Sequence, residues 1–395
     1  MGGKNGMDEF RFIDRSTTNA EKYTLREKLF GVNEVQPLWV ADMDFATPKC
    51  VLDAVSERLK HPIIGYEILP SSAYEAQIEW FKEHHDFVME REWLSYSPSV
   101  VASLGCAIRA LSEVDDEVIV MDPVYPPFYS MVRDNHRRLI LHPLHQDDEG
   151  VYRFDIEKLR SQITSKTKLL VLCSPHNPIG RVWSREELVE LSGLCLEYGI
   201  VIISDEIHCD LVYPEHKHIP IASLSSDVCN ATVTLMGSGK TFNMAGFSIS
   251  TVCIADETMR KRYAEEQHRL HWGDGALLSH VAFEAAYRHG GEWHQKLLYR
   301  LDENRQKVVR AFENTEIRVN APQATYLAWL DCRALGMGNR ALREFFVQQA
   351  GVGLSAGISF GREGSGFMRL NFALSFEMLE RALEKITHAL ENLER

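Results

Sequence analysis

The chain has 395 residues, of which 45% are apolar and 25% charged, and a formal net charge of −13 at pH 7. A single core stops growing well below this length, so two domains are expected, and the acidic balance argues against nucleic acid or an anionic membrane as the main partner. No run of about 18 apolar residues exists to span a bilayer, Met1–Phe10 hold no apolar stretch of signal-peptide type, and the eight cysteines are scattered without a Cys-x-x-Cys pair, so a cytoplasmic, reduced protein is expected.

In chain order, the first 45 residues show no clear pattern. Glu117–Met121, Leu169–Cys173, Val201–Ser204, Val233–Met236 and Ser250–Ile254 then read as strands: short, rich in β-branched residues and bounded by polar or turn residues. Between the second and third lies a helix that Ser184 and Glu187 start as a capping box. Leu188, Leu191, Cys195 and Tyr198 carry it at helical spacing, and Gly199 ends it. Strand, helix and strand within about 30 residues make a βαβ unit, hence a largely parallel sheet. Past a boundary expected around Ala285–Arg305, a smaller α+β region follows. It comprises a strand at Thr325–Leu330, a helix at Ala341–Gln349, a strand at Phe367–Phe372 and a last helix with Leu379, Leu383, Ile386, Leu390 and Leu393 along one stripe.

Ligands of parallel α/β sheets sit at the carboxyl ends of strands. Three such ends offer Asn177, Asp205 and Lys240. A lysine amine forms Schiff bases and a carboxylate pairs with a protonated pyridine nitrogen, the pair a pyridoxal-phosphate site requires. Each also has an ordinary reading: a solvated lysine, a capping aspartate, and His176 and His208 as hydrogen-bonded core histidines. The Gly237-Ser-Gly-Lys-Thr241 run is not a P-loop, because Thr234 stands where that motif needs its first glycine. The histidines show no zinc-binding spacing, and no metal is expected.

Four segments, Ser174-Pro-His-Asn-Pro-Ile-Gly-Arg181, Ser204-Asp-Glu-Ile-His-Cys-Asp-Leu211, Lys240-Thr-Phe-Asn-Met-Ala-Gly246 and Met368-Arg-Leu-Asn-Phe-Ala373, stand in an order that resembles fold-type I pyridoxal-phosphate enzymes of the class I/II aminotransferase family. Within that family the chain is most similar to the MalY/PatB-type cystathionine β-lyase (C–S lyase) subgroup. Leu38-Trp-Val-Ala-Asp-Met-Asp-Phe45, Asp122-Pro-Val-Tyr-Pro-Pro-Phe128 and Pro322-Gln-Ala-Thr-Tyr-Leu-Ala-Trp-Leu-Asp331 extend the likeness to about Trp39–Leu393. The resemblance implies an α/β fold with a mostly parallel seven-stranded sheet in a large domain (residues 46–290), a smaller α+β domain (291–395), and an N-terminal segment (1–45) packed on the latter. It implies that Lys240 holds pyridoxal 5′-phosphate and moves the substrate's α-proton. Asp205 would pair with the pyridine nitrogen, Asn177 bind the phenolic oxygen and Tyr125 stack on the ring. Arg369 would bind the substrate carboxylate with help from the Val40 and Ala41 backbone. Val100, Val101 and Ala102 would offer N–H groups to the phosphate, joined by Ser238 and by Tyr66 from the neighbouring subunit of a homodimer with shared sites.

This sequence departs from the family pattern at three positions: His208 replaces a common tyrosine, Gly239 a serine before the lysine, and Ser248 a basic residue near the phosphate. A C–S β-lyase acting on cystathionine or a related cysteine conjugate is the expectation. An aminotransferase of a small or aromatic amino acid is the alternative, because the same residues serve both, and a regulatory binding protein on the same fold is the second.

Overall fold

The computed structural model describes residues 10–393. Residues 1–9 and 394–395, parts of the expected N-terminal segment and small domain, lie outside the described residues.

Seven strands form the main sheet: β1 (Leu94–Ser97), β2 (Glu117–Asp122), β3 (Arg138–Pro143), β4 (Thr167–Cys173), β5 (Val201–Asp205), β6 (Thr232–Met236) and β7 (Ser250–Ile254). Their spatial order is β1-β7-β6-β5-β4-β2-β3. Strand β7 runs antiparallel to both neighbours, and the pairs from β6 to β3 are parallel. Sheets of this kind are covered on both faces, which is why β2 and β6 are buried at every position, β2 with four apolar residues between its acidic ends and β6 with only threonine besides apolar residues. The two strands that the residue pattern did not reveal are the edges. β3 is only partly buried, and β1 alternates serine with leucine and tyrosine.

The helices that matter for the site are α1 (Val100–Leu111), α2 (Arg185–Tyr198), α3 (Ser238–Thr241), α4 (Leu277–His289), α5 (Gly291–Phe312) and α6 (Phe376–Leu393). The capping box on α2 forms in both directions: the Ser184 hydroxyl accepts from Glu187 N and the Glu187 carboxylate from Ser184 N. Gly199 closes the helix in the left-handed region at φ 66°. Helices α4 and α5 meet at Gly290, where an added Cβ would lie 2.4 Å from Ala286 O and from the Phe242 ring. On α6 the stripe Leu379, Leu383, Ile386 and Leu390 is buried, whereas Leu393, expected to extend it, is 37% exposed at the last turn, beyond the surface it packs on.

A second, antiparallel sheet orders β8 (Arg318–Val319), β9 (Leu327–Asp331), β11 (Phe367–Asn371) and β10 (Ser355–Ala356). The helix expected over Ala341–Gln349 is α-helical over Asn339–Glu344 and widens into a π-helical turn at Phe345–Gln349. In the N-terminal segment, Gln36–Pro37 pairs in parallel with Val352–Gly353, and Phe10 packs edge-on against Phe45, 5.1 Å between centroids.

Candidate active site

A cavity of about 660 Å³ opens where the carboxyl ends of β4, β5 and β6 face β11 and the Trp39–Asp42 segment. Each parallel strand delivers one polar residue to it: Asn177 from the loop after β4, Asp205 as the last residue of β5, Lys240 on the short helix that follows β6. Lys240 is half-buried, and its Nζ donates to Ala41 O at 2.5 Å. Burial, with Arg369 nearby, brings its amine down to about 8 against the pull of Asp42 and Asp205. About a tenth of such an amine is neutral at pH 7, hundreds of times more than for a solvated lysine.

Asp205 is 5% exposed. Burial raises its carboxyl to about 7, although Ile207 N donates to Oδ1 at 3.1 Å and Lys240 favours the anion. Arg369, also 5% exposed, reaches in from β11. Its Nη1 donates to Asn177 Oδ1 at 3.0 Å and its Nη2 to Trp39 O at 2.7 Å, while Phe360 lies 4.7 Å beneath the guanidinium. Burial brings its pKa down to about 10, still far above neutrality. With its amide oxygen taken by Arg369, Asn177 keeps an NH₂ group, the donor a phenolic oxygen needs.

Tyr125, Val40, Ala41, Val100, Val101 and His208 line the same cavity. His208 is buried and kept neutral, its pKa pushed down to about 3 by burial and by Lys240. Its Nδ1 has no partner. Ala102 differs from expectation: its N–H is held by the Ser99 hydroxyl at 3.1 Å, which caps α1, so Val100 and Val101 carry the free first-turn N–H groups facing the cavity. Ser238 sits behind the lining, fully buried, with an unpartnered Oγ. Ser248, in the left-handed region at φ 52°, lines the cavity. Tyr66 lies outside this chain's own cavity, fully exposed in the irregular stretch 62–70. His176 is a buried, hydrogen-bonded core histidine, 2.7 Å from Pro123 O. At Gly239 an added Cβ would lie 3.3 Å from Ala245 Cα, tight enough to account for glycine in place of serine.

Residue patterns gave no sign of the side chains that brace this set. Tyr326 is buried, its OH donates to Ala41 O at 2.8 Å, and its ring meets His208 edge-on. The Asn371 amide donates to both Val40 O and Asp42 O at 2.6 Å, and the Asn243 amide to Met43 O and Phe45 O. Two asparagines thus pin the Trp39–Phe45 segment against β11 and α3. The donor set fits pyridoxal phosphate on the structure's own terms. An amine and a carboxylate stand in one cavity, two helix N-terminal N–H groups border it, and the buried Ser238 Oγ, His208 Nδ1 and Arg369 Nε lack partners within the chain.

A family model, aminotransferase class I and II, matches residues 34–386. Cystathionine beta-lyase PatB of Bacillus subtilis (strain 168) is 39% identical, covering 95% of this chain and 98% of that protein. Protein MalY of Escherichia coli (strain K12) is 32% identical over 97% and 98%. Among solved structures, cystalysin from Treponema denticola, which contains a pyridoxal 5′-phosphate cofactor, superposes with a TM-score of 0.94 at 31% identity, covering 98% of this chain and 99% of that one. A PLP-bound C–S lyase from Staphylococcus hominis, in complex with the inhibitor L-cycloserine, gives 0.90 at 34%, covering 97% and 98%. Sequence match along nearly the full length and the shared seven-stranded sheet agree, and the chain belongs to the aminotransferase class I and II family, with the fold-type I architecture.

Proposed function

We propose that this chain is a pyridoxal-phosphate-dependent carbon–sulfur β-lyase, which cleaves L-cystathionine or a related cysteine S-conjugate to a thiol, pyruvate and ammonia. The observation that carries the reading is the convergence of Lys240, Asp205 and Arg369 on one cavity with the lysine held partly neutral. When bound, pyridoxal phosphate supplies a carbonyl that condenses with amines and a pyridinium ring that accepts the electron pair left at the substrate's α-carbon. Arg369, fixed by Asn177 and Trp39 O, holds the substrate carboxylate and so orients the α-hydrogen. Lys240 Nζ takes the α-proton and returns a proton to the departing sulfur. Asp205 accepts from the ring nitrogen and keeps it protonated, Asn177 donates to the phenolic oxygen, and Tyr125 covers the ring. Val100, Val101 and Ser238 hold the phosphate.

Elimination is favoured over transamination by the names of the relatives, which include cystathionine beta-lyases along their whole lengths. A second support is charge. Among the described lining residues Lys240 and Arg369 are the sole Lys and Arg side chains, so the side-chain acid of aspartate or glutamate would find no cation, whereas the distal carboxylate of cystathionine carries its own ammonium beside it. The working unit is a homodimer in which Tyr66 completes the partner's phosphate site, as its complete exposure in a stretch with exposed Ile63, Ile64 and Ile68 supports. The eight free cysteines suit a reducing cytoplasm.

The test is partition with L-cystathionine. Pyruvate and homocysteine should form many times per site without a keto-acid acceptor, and borohydride should fix the cofactor on the peptide holding Lys240. A single turnover that stops until 2-oxoglutarate is added would make the protein an aminotransferase, and label on another lysine would overturn the site.

A further inference from the structure

Behind the Lys240 helix lies a buried polar network that the proposed reaction does not use. Asp210 is 5% exposed and saturated: Oδ1 accepts from Trp80 Nε1 at 2.8 Å and lies 2.7 Å from His85 Nε2, and Oδ2 accepts from Thr241 Oγ1 at 2.7 Å. Its carbonyl lies 2.6 Å from His294 Nε2. Against burial, which would raise it, His85 and Trp80 hold the Asp210 carboxyl well below the usual range. The His85 ring meets His218 edge-on at 5.4 Å, and His218 Nε2 lies 2.9 Å from Glu206 Oε2. Glu206, fully buried, also accepts from Ser204 Oγ at 2.9 Å and Ile221 N at 3.3 Å. His85, Cys209 and Asp210 present ligand atoms within 4.8 Å of one another, but Asp210 already accepts from three side chains, and hydrogen bonding accounts for the cluster without a metal.

The two ends of this network sit at telling positions. Thr241 directly follows Lys240, and Glu206 directly follows Asp205. Buried ionic groups contribute little net stability, since apolar residues of like volume often do as well. What a saturated network adds is a single geometry. We propose that Thr241 and Asp210 are positioning residues: the Thr241–Asp210–His85 network, meeting His218–Glu206 edge to edge, fixes the turn that carries Lys240 relative to the strand end that carries Asp205. The proposal rests on the assignment of those two residues to the cofactor. It places the alignment of the amine with the ring-nitrogen partner in the hands of groups that touch neither cofactor nor substrate.

The experiment compares the holoenzyme with Thr241→Val, which keeps shape and deletes the hydroxyl, Thr241→Ser, which keeps the hydroxyl, and Asp210→Asn. Borohydride labelling of Lys240 in the parent protein comes first, so that failure of the site assignment is seen separately. Thr241→Val should lower kcat for L-cystathionine about tenfold with KM changed less than about twofold, because misalignment acts on the chemical step. It should also displace the pH midpoint of the visible band of the Lys240-bound cofactor by about half a pH unit or more. Thr241→Ser should restore both, and adding Thr241→Val to Asp210→Asn should cost kcat little more, as for members of one network. Parental kcat and band midpoint in Thr241→Val, whatever its urea midpoint, would overturn the proposal. So would Thr241→Ser behaving like Thr241→Val, since packing alone would then explain the position.

Discussion

Asp205→Asn should stabilise the cofactor-free protein at neutral pH while removing its activity. The Asp205 carboxyl rises from its ordinary 3.8 to about 7, chiefly through burial. A group whose pKa is raised in the folded state binds its proton more tightly there, so it favours folding below its unfolded pKa. That contribution is lost as pH rises through about 7. The difference corresponds to about 4 kcal/mol, the cost of holding the carboxylate dry. Asparagine keeps the oxygen that accepts from Ile207 N and carries no charge to desolvate. Lys240 does not blur the window, because its lowered value of about 8 leaves it protonated in both states between pH 4 and 7. Urea unfolding of the two cofactor-free proteins should coincide near pH 4 and diverge to about 4 kcal/mol in favour of Asp205→Asn by pH 7. Turnover should fall at least about 100-fold, as when a preorganised electrostatic partner is removed. A stability difference independent of pH, or one that favours the wild type at pH 7, would refute the reasoning.

Three further outcomes test other parts of the site. Ser238→Ala should weaken cofactor binding about tenfold in a spectroscopic titration, without loss of stability in the cofactor-free protein, because the Oγ has no partner inside the chain. Ser248→Lys should tighten cofactor binding by restoring a charge-assisted contact worth about 1.5–3 kcal/mol, and equal dissociation constants would show that position 248 does not face the phosphate. Mixing Lys240→Ala with Tyr66→Phe subunits, each inactive alone, should recover activity in heterodimers; no recovery after proven exchange would sink the shared site.

Much of this was legible in the residues because the relevant signals are local. β2, β4, β5, β6 and β7 are short strands rich in β-branched and apolar residues, and chemistry in such sheets collects at strand ends, which singles out Asn177, Asp205 and Lys240 before any relative is considered. What stayed hidden depends on long-range register. Tyr326 reads as one more strand residue, yet its hydroxyl meets Ala41, 285 positions away. Asn371 falls within an expected strand and Asn243 just past Lys240, and their clamps on Val40, Asp42, Met43 and Phe45 exist only once that distant segment is brought against both. Ala102 shows another limit: the resemblance offers three N–H groups to the phosphate, but the helix already starts at Val100 and the Ser99 cap takes the Ala102 N–H. Asp210 shares a motif with Asp205 five residues away, but its partners Trp80, His85 and Thr241 come from elements far apart in the chain.

The charges of the cavity make one argument together. Burial drives Asp205 up to about 7 and Lys240 down to about 8, each toward its neutral form, and leaves His208 neutral. For Lys240 the fall from 10.5 corresponds to about 3 kcal/mol, similar in size to the Asp205 cost. A core selected for stability alone would not keep both, since a chain's whole margin is about 5–15 kcal/mol. Buried ion pairs elsewhere in the chain are closed: Arg181 meets both Glu187 oxygens at 2.7 Å, and Asp210 is saturated. At the cavity Lys240 has only a backbone carbonyl and Asp205 only a backbone N–H, His208 Nδ1 and Arg369 Nε lack partners, and so does Ser238 Oγ behind the lining. The two strained charges, Asp205 and Lys240, therefore stand together where a ligand with an aldehyde and a pyridine nitrogen would relieve them. Cofactor binding should then raise stability more in the wild type than in Asp205→Asn, because only the wild type has a buried carboxylate to satisfy.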